Sequence, residues 1–226
     1  KYACMKQEFL PDLQFVCHFY VDLNWRRQYA GVFKSEYKGV TYYFIDNESY
    51  FSRDKVYGEY DDGERFAFFS MAAVQMMGHL GYYPDILHAH DWQSALTVVY
   101  LKTKYSYPNV KTVYTIHNIE YQGQFGENSV CDLFGLDFGW YADGTLEMNG
   151  CVNLLKGAML CADSVTTVSP TYAKQLHYSF YAHGLENIVD MVGYKMEGVL
   201  NGLDVEGFDP AADGALYANY TAEDTA

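Results

Sequence analysis

Two histidines and an aspartate fall within four residues in the stretch PDILHAHDW, at His88, His90 and Asp91. Three chemistries are open to such a group: a metal site, an acid–base site, or the polar end of a buried strand. On a strand, residues two apart point to one face, so His88 and His90 could share an ion. In the H-x-H-x-D-H arrangement, however, an Asp–His pair follows after a spacer, whereas here Asp91 and Trp92 follow directly. No HExxH or cysteine cluster offers further ligands, so no metal site is expected. Nucleophilic and phosphate-cradling signatures are missing as well, since G-x-S-x-G, G-x-G-x-x-G and G-x-x-x-x-G-K-[ST] do not occur.

What remains is a polar rim. His117–Asn118 closes the apolar run KTVYTIH, and Asn201–Gly202 follows KMEGVL. Asp91 sits where a strand would give way to a helix, so a helix N-cap is expected, bonding backbone N–H groups. An Asp, a His–Asn pair and an Asn delivered to one rim are also the composition of a site for sugar hydroxyls. Taken singly, each is an ordinary loop residue.

The elements that would position these residues follow from periodicity. QFVCHFYV (14–21), QYAGVFKSEY (28–37) and VTYYFID (40–46) are rich in β-branched and aromatic residues, and Lys38–Gly39 is a hairpin signal. These form an expected antiparallel excursion. From Glu64 the spacing turns helical, with Phe66, Phe69, Ala73 and Met76 or Met77 on one face. Short strands and helices then alternate. DILHAH, KTVYTIH, SVTTVS and KMEGVLNG read as strands; WQSALTVVYLKTKY and CVNLLKGAMLCA read as helices, the latter with Cys151, Leu154, Leu155, Ala158 and Met159 on one stripe. Ser169–Pro170 reads as an N-cap followed by the first helical position. The pattern predicts an α/β fold: a Rossmann-like parallel sheet with flanking helices on both faces, carrying an antiparallel β excursion near the N-terminus. Ligands of such sheets bind beyond the carboxyl ends of the strands, where the rim residues lie.

Composition narrows the partners. The 226 residues suffice for one large domain, and half are hydrophobic while 19% are charged, which fits a globular chain. A formal charge of −14 with scattered Lys and Arg leaves no basic stripe, so no nucleic-acid partner is expected. No apolar run reaches the length of a membrane helix, and no membrane partner is expected. Five cysteines without a CxxC pair fit a reducing cytoplasm. Asn47 and Asn219 match N-x-[ST] at chance level. The 23 Tyr and 14 Phe suit sugar stacking or a Tyr-rich core equally. The N-terminus KYACMKQEFL has neither an initiator Met nor a signal-peptide core, and reads as cut from something longer.

Several long stretches together carry a resemblance: YFIDNESYFSRDKVYGEYDDGERFAFFS, PDILHAHDWQSAL, KTVYTIHNIEYQGQF, ADSVTTVSPTYAKQL and GVLNGLD. From about residue 25 to 210 the chain resembles the bacterial glycogen synthases and plant starch synthases. The resemblance implies two Rossmann-like domains around a cleft and retaining transfer of glucose from ADP-glucose to the non-reducing end of an α-1,4-glucan. Residues 1–210 would then be the N-terminal, acceptor-side domain and 211–226 the start of an inter-domain linker. By the same resemblance His117 and Asp91 are catalytic. Asn118 and Asn201 hold donor glucose hydroxyls, Trp92 is an apolar wall, and Tyr121 and Gln122 border the acceptor path. No cofactor is implied, and the location is the bacterial cytoplasm. Departures from the family are a missing Lys-Thr-Gly-Gly loop with its strand, a missing nucleotide-gripping domain, and GLDVEGFDP, where Trp near Phe208 and Asn near Asp209 are usual. The chain is therefore expected to be inactive alone. A glucan-binding module that has lost transfer is the alternative.

Overall fold

The computed structural model describes residues 10–105 and 107–224, so the N-terminal KYACMKQEF with Cys4 lies outside the described residues. Three strands open the chain: β1 (Gln14–Leu23), β2 (Arg26–Tyr37) and β3 (Val40–Asp46), paired antiparallel in the order β1-β2-β3. Tyr37 pairs with Val40, and between them Lys38 (φ 48°) and Gly39 (φ 77°) both take left-handed φ. That is the two-residue turn whose twist matches the strands it joins. Arg26 ties this sheet to the rest: its Nε lies 2.9 Å from Glu64 Oε2, and Nη1 donates to the Asp132 carbonyl at 2.7 Å.

Helix α1 (Asp62–Leu80) follows, then β4 (Ile86–His90), α2 (Asp91–Thr103) and β5 (Lys111–Ile116). After these come α3 (Leu154–Cys161), β9 (Ser164–Thr167), α4 (Pro170–Gln175), α5 (Glu186–Val192) and β10 (Met196–Gly198). Strands β4, β5, β9 and β10 form one parallel sheet in the order β10-β9-β5-β4, as the alternation predicts. The core joins α1, α2 and α3 to this sheet through Phe68, Met71, Leu96, Val99, Tyr114, Ile116, Leu155 and Val165. The α4 start conforms to its sequence signal: Ser169 Oγ accepts from Tyr172 N–H at 2.8 Å, with Pro170 at the first helical position.

Four expectations need correction. CVNLLKGAMLCA is not one helix: Cys151–Asn153 is strand β8, joined to β6 (Gln124–Gly126) and β7 (Glu147–Met148) in a small antiparallel sheet, and the helix begins at Leu154. Cys151 is consequently exposed, while Leu154, Leu155, Ala158 and Met159 are buried as the stripe predicts. In α1 the buried set is Phe66, Ala67, Phe68, Met71, Ala72, Val74 and Met77. Phe69, Ala73 and Met76 instead line an apolar groove of about 510 Å³ beside Leu87 of β4. The groove runs between α1 and the sheet's edge strand β4, with Tyr43 of β3 also on its wall. Finally, among the described residues helices do not cover both faces of β4. Its Ile86, His88 and His90 are exposed, Ile86 at 59%, an unusual state for a parallel strand.

Asn47 is buried, accepts from Tyr50 N–H and donates to the Tyr29 carbonyl, so its N-x-[ST] match is a structural cap. Among the described residues Cys17, Cys131, Cys151 and Cys161 are free thiols. Beyond β10 no helix or strand occurs among the described residues, and no helix among them is long and apolar enough to cross a membrane.

Candidate functional site

Because the four strands run parallel, their carboxyl ends share one edge. His90–Asp91, His117–Asn118, Ser169 and the segment after Gly198 therefore gather there. At the end of β4 no loop intervenes: His90 is the last strand residue and Asp91 the first of α2. So sharp a junction forces Asp91 to φ 53°, a left-handed conformation that Asp tolerates better than most residues. Strained non-glycine backbone of this kind gathers at functional sites.

Asp91 is not the helix cap expected from its position. Its Oδ1 turns across to the next strand, accepting from His117 N–H at 2.8 Å and more weakly from Asn118 N–H at 3.4 Å. The helix start is closed by Ser94 instead, whose Oγ accepts from His90 N–H and donates to the His90 carbonyl, both at 2.6 Å. The left-handed φ explains the swap, since it swings the carboxylate away from the first turn. Among the described residues no partner is assigned to Asp91 Oδ2, so one oxygen stays available at the rim.

His117 is exposed and held at two points. Its backbone N–H is fixed by Asp91, and its ring Nε2 lies 3.0 Å from His90 Nδ1. His88 forms a separate line through the sheet: its Nε2 is 2.6 Å from Thr115 Oγ1, itself 2.6 Å from Thr166 Oγ1. The His88 and His90 rings are tilted 35° to one another with centroids 4.2 Å apart. Partial burial holds both rings below the ordinary imidazole pKa, and neighbouring imidazoles add to the effect.

The remaining predicted residues divide into two groups. Asn118 is exposed at the rim, and its Oδ1 accepts from Glu120 N–H at 3.0 Å. Tyr121 is 57% exposed on the loop that follows. Asn201 lies three residues beyond β10 at the same sheet edge, exposed and with no bond to the other rim residues among the described contacts. Gln122 turns inward instead. It is 7% exposed, donates to the His183 carbonyl at 3.1 Å, and accepts from Asn153 Nδ2 at 2.7 Å and from Gln124. Trp92 is half-buried beneath this loop, edge-on to Phe66 at 5.2 Å and tilted against Phe125 at 5.8 Å. Gly123 passes over its ring at φ 63°, where a Cβ would come within 2.7 Å of Trp92.

His90 is the rim residue to which the sequence assigns no role, leaving it open as a metal ligand, an acid–base group or the polar end of a strand. Its signal is parallel pairing: His90 at the end of β4 is set beside Thr115 of β5, two residues before His117.

Comparison with known proteins identifies the family of the chain. The sequence profile of the starch synthase catalytic domain matches residues 1–191. The glycogen synthase of Streptococcus equi subsp. zooepidemicus is 45% identical over 227 residues, covering 99% of this chain and 48% of that protein. The glycogen synthase of Ligilactobacillus salivarius is 46% identical over 97% of the chain and 47% of its own length. The chain thus spans about half the length of the curated relatives it matches. Among solved structures, the catalytic domain of starch synthase IV from Arabidopsis thaliana, bound to ADP and acarbose, superposes with a TM-score of 0.84 at 31% identity, over 94% of this chain and 45% of that one. With a profile matching well over half its residues, the chain belongs to the starch synthase catalytic domain family.

Proposed function

We propose that the chain is the acceptor-side part of a retaining glucosyltransferase that moves glucose from ADP-glucose to the non-reducing end of an α-1,4-glucan. The observation that carries this reading is the Asp91 carboxylate, strained into place at the strand ends and bound through Oδ1 to the His117 and Asn118 amides, with no partner assigned to Oδ2 among the described residues. The likeness to a starch synthase bound to ADP and acarbose supports a nucleotide-linked donor and a sugar acceptor.

Transfer with retention passes through an oxocarbenium-like transition state, which needs negative potential beside the sugar ring. Asp91 Oδ2 and the His117 carbonyl supply it, preorganised so that little reorganisation accompanies the charge. Asn118 and Asn201 hold donor hydroxyls, and Tyr121 borders the acceptor path, which raises the effective concentration of the attacking hydroxyl. Gln122 and Trp92 act from below, holding the loop that carries Tyr121. The departing diphosphate needs positive charge. None of the rim residues named here is Lys or Arg, so that charge belongs to other parts of the enzyme.

Residues 1–210 form the acceptor-side domain in this reading and 211–226 begin the linker. The edge of β4, unpaired among the described residues, its exposed face and the groove under Phe69, Ala73 and Met76 support a further strand–helix unit there, the place for a phosphate-binding loop. The reaction requires no cofactor, and the bacterial relatives favour a cytoplasmic glycogen synthase.

The test replaces the matching segment of the Streptococcus equi glycogen synthase with these 226 residues and measures transfer from radiolabelled ADP-glucose to glycogen. Transfer above the level of an Asp91→Ala control is expected. A folded replacement protein that binds glycogen and transfers nothing would instead make the chain a glucan-binding module.

A further inference from the structure

The two rings at the rim raise a question of protons. His90 Nδ1 and His117 Nε2 are both nitrogens, 3.0 Å apart, and a bond between them requires a proton on one and a lone pair on the other. His90 reaches this position as the last residue of β4, paired with Thr115 of β5, and His117 stands two residues further along that neighbour. The His117 main chain is already fixed by Asp91 at 2.8 Å. A contact to its ring removes the freedom that remains.

We propose that His90 is a positioning residue for His117: the facing nitrogens share a single proton, which locks the His117 ring and couples its tautomer to that of His90. When His90 Nδ1–H donates, His117 carries its own proton on Nδ1 and offers a donor there. When His117 Nε2–H donates, the same Nδ1 becomes an acceptor. One additional proton leaves the bridge intact, as an imidazole–imidazolium pair. A second would set two N–H groups against each other and break it.

The charged and titratable groups around His90 are His88 on its own strand, Asp91 at the start of α2 and His117 after β5. The two histidines and partial burial disfavour charge on His90, and Asp91 favours it. Ser94 contributes an uncharged hydroxyl, bonded to the His90 main chain. Charge on His90 is thus disfavoured. The effect on rate rests on the glucosyl-transfer reading, whereas the shared proton does not.

Ring nitrogens of the 15N-histidine-labelled 226-residue chain test the pairing directly. Neutral pH should show one protonated and one bare nitrogen at the contact, with a scalar 15N–15N coupling across the bond. His90→Phe keeps ring volume and removes both nitrogens; it should abolish the coupling and release His117 into a mixture of tautomers. His90→Asn sets an amide near the Nδ1 position and should restore one dominant His117 tautomer. Wild-type protein with no coupling, or a His117 spectrum unchanged in His90→Phe, refutes the shared proton whatever the activity. If His90→Phe does not fold, the wild-type coupling and His90→Asn still decide the matter.

In the replacement enzyme, His90→Phe should lower kcat about tenfold, the scale of one hydrogen bond, with KM for ADP-glucose within about twofold. The acid limb of its pH–rate profile should also move, and His90→Asn should recover most of kcat. A shared proton in the spectra with kcat and pH profile unaltered in His90→Phe overturns the positioning role. Absence of transfer in the wild-type replacement enzyme counts against the glucosyl-transfer reading, and the nitrogen spectra then decide the pairing by themselves.

Discussion

Replacing Asp91 by Ala, Asn and Gly separates its two duties. Ala removes the acceptor of one good charge-assisted bond from His117 N–H, together with the weaker one from Asn118 N–H. Such a bond contributes about 1.5–3 kcal/mol, less at this rim because water can replace part of it. Ala must also hold φ 53°, where L residues lose about 1–2 kcal/mol and Asp rather less. Together these give about 2 kcal/mol, or roughly 4–8 °C in Tm for a chain of this size. Gly loses the bonds without the backbone strain and should melt above Ala. Asn keeps both a carbonyl oxygen and tolerance of left-handed φ, so its loss should stay under about 1 kcal/mol. In the replacement enzyme the ranking changes, because Asn lacks the negative charge. If Asp91 stabilises the transition state by about 3 kcal/mol, Asp91→Asn should lose about a hundredfold in kcat at nearly wild-type Tm. Melts of the chain, set against steady-state rates of the replacement enzyme, make the comparison. Near-normal turnover in Asp91→Asn would reduce the residue to a tie between strand ends, and an Asn melt as low as that of Ala would refute the assigned bond.

The 226-residue chain alone should give no glucosyl transfer above background with ADP-glucose and glycogen, since none of the rim residues named above is a cation that could meet the diphosphate; turnover by the purified chain would contradict this. Gly198→Ala would bring a Cβ within 2.2–2.4 Å of Ser169 O and C and Pro170 Cα. Backbone cannot yield as a side chain can, so a loss of about 1–3 kcal/mol is expected, read as a lowered denaturation midpoint. Gly123→Ala combines left-handed φ with a clash on Trp92, and should cost about 1–2 kcal/mol from the backbone alone while loosening the Tyr121 loop, visible as faster amide exchange over 119–123. For pH, His88 and His90 are bases whose folded pKa lies below the ordinary 6.5, so between those values the unfolded chain binds more protons. Their contribution is therefore full above 6.5 and is lost as pH falls through 6.5 towards the lower folded values. Tm should drop from pH 7.5 to pH 5, with a smaller drop in His90→Asn; an equal drop in that variant would exclude His90 as a source.

Local chemistry was legible without any fold. Lys38–Gly39 closes its hairpin because two successive residues take left-handed φ, and Ser169–Pro170 starts its helix through a side chain three residues from its partner. The β/α alternation that yields the parallel sheet comes from the period of apolar residues, likewise a property of neighbours. So does the placing of His90–Asp91 and His117–Asn118 at one edge, since parallel strands end on one side. Other features were decided by distant partners. Cys151–Asn153 joins a helical apolar pattern in sequence, yet becomes strand because Gln124–Gly126 pairs with it. Asp91 sits at a helix start, where sequence predicts a cap, but its oxygen goes to an amide 26 residues away. Gln122 and Trp92 read as rim residues and turn inward, held by Asn153, His183, Phe66 and Phe125. The contact of His90 with His117 also exists only once β4 and β5 pair. The dividing line is range: backbone dihedrals and caps are settled within a few residues, whereas the direction of a polar side chain depends on which donors and acceptors the assembled strands bring within about 3 Å.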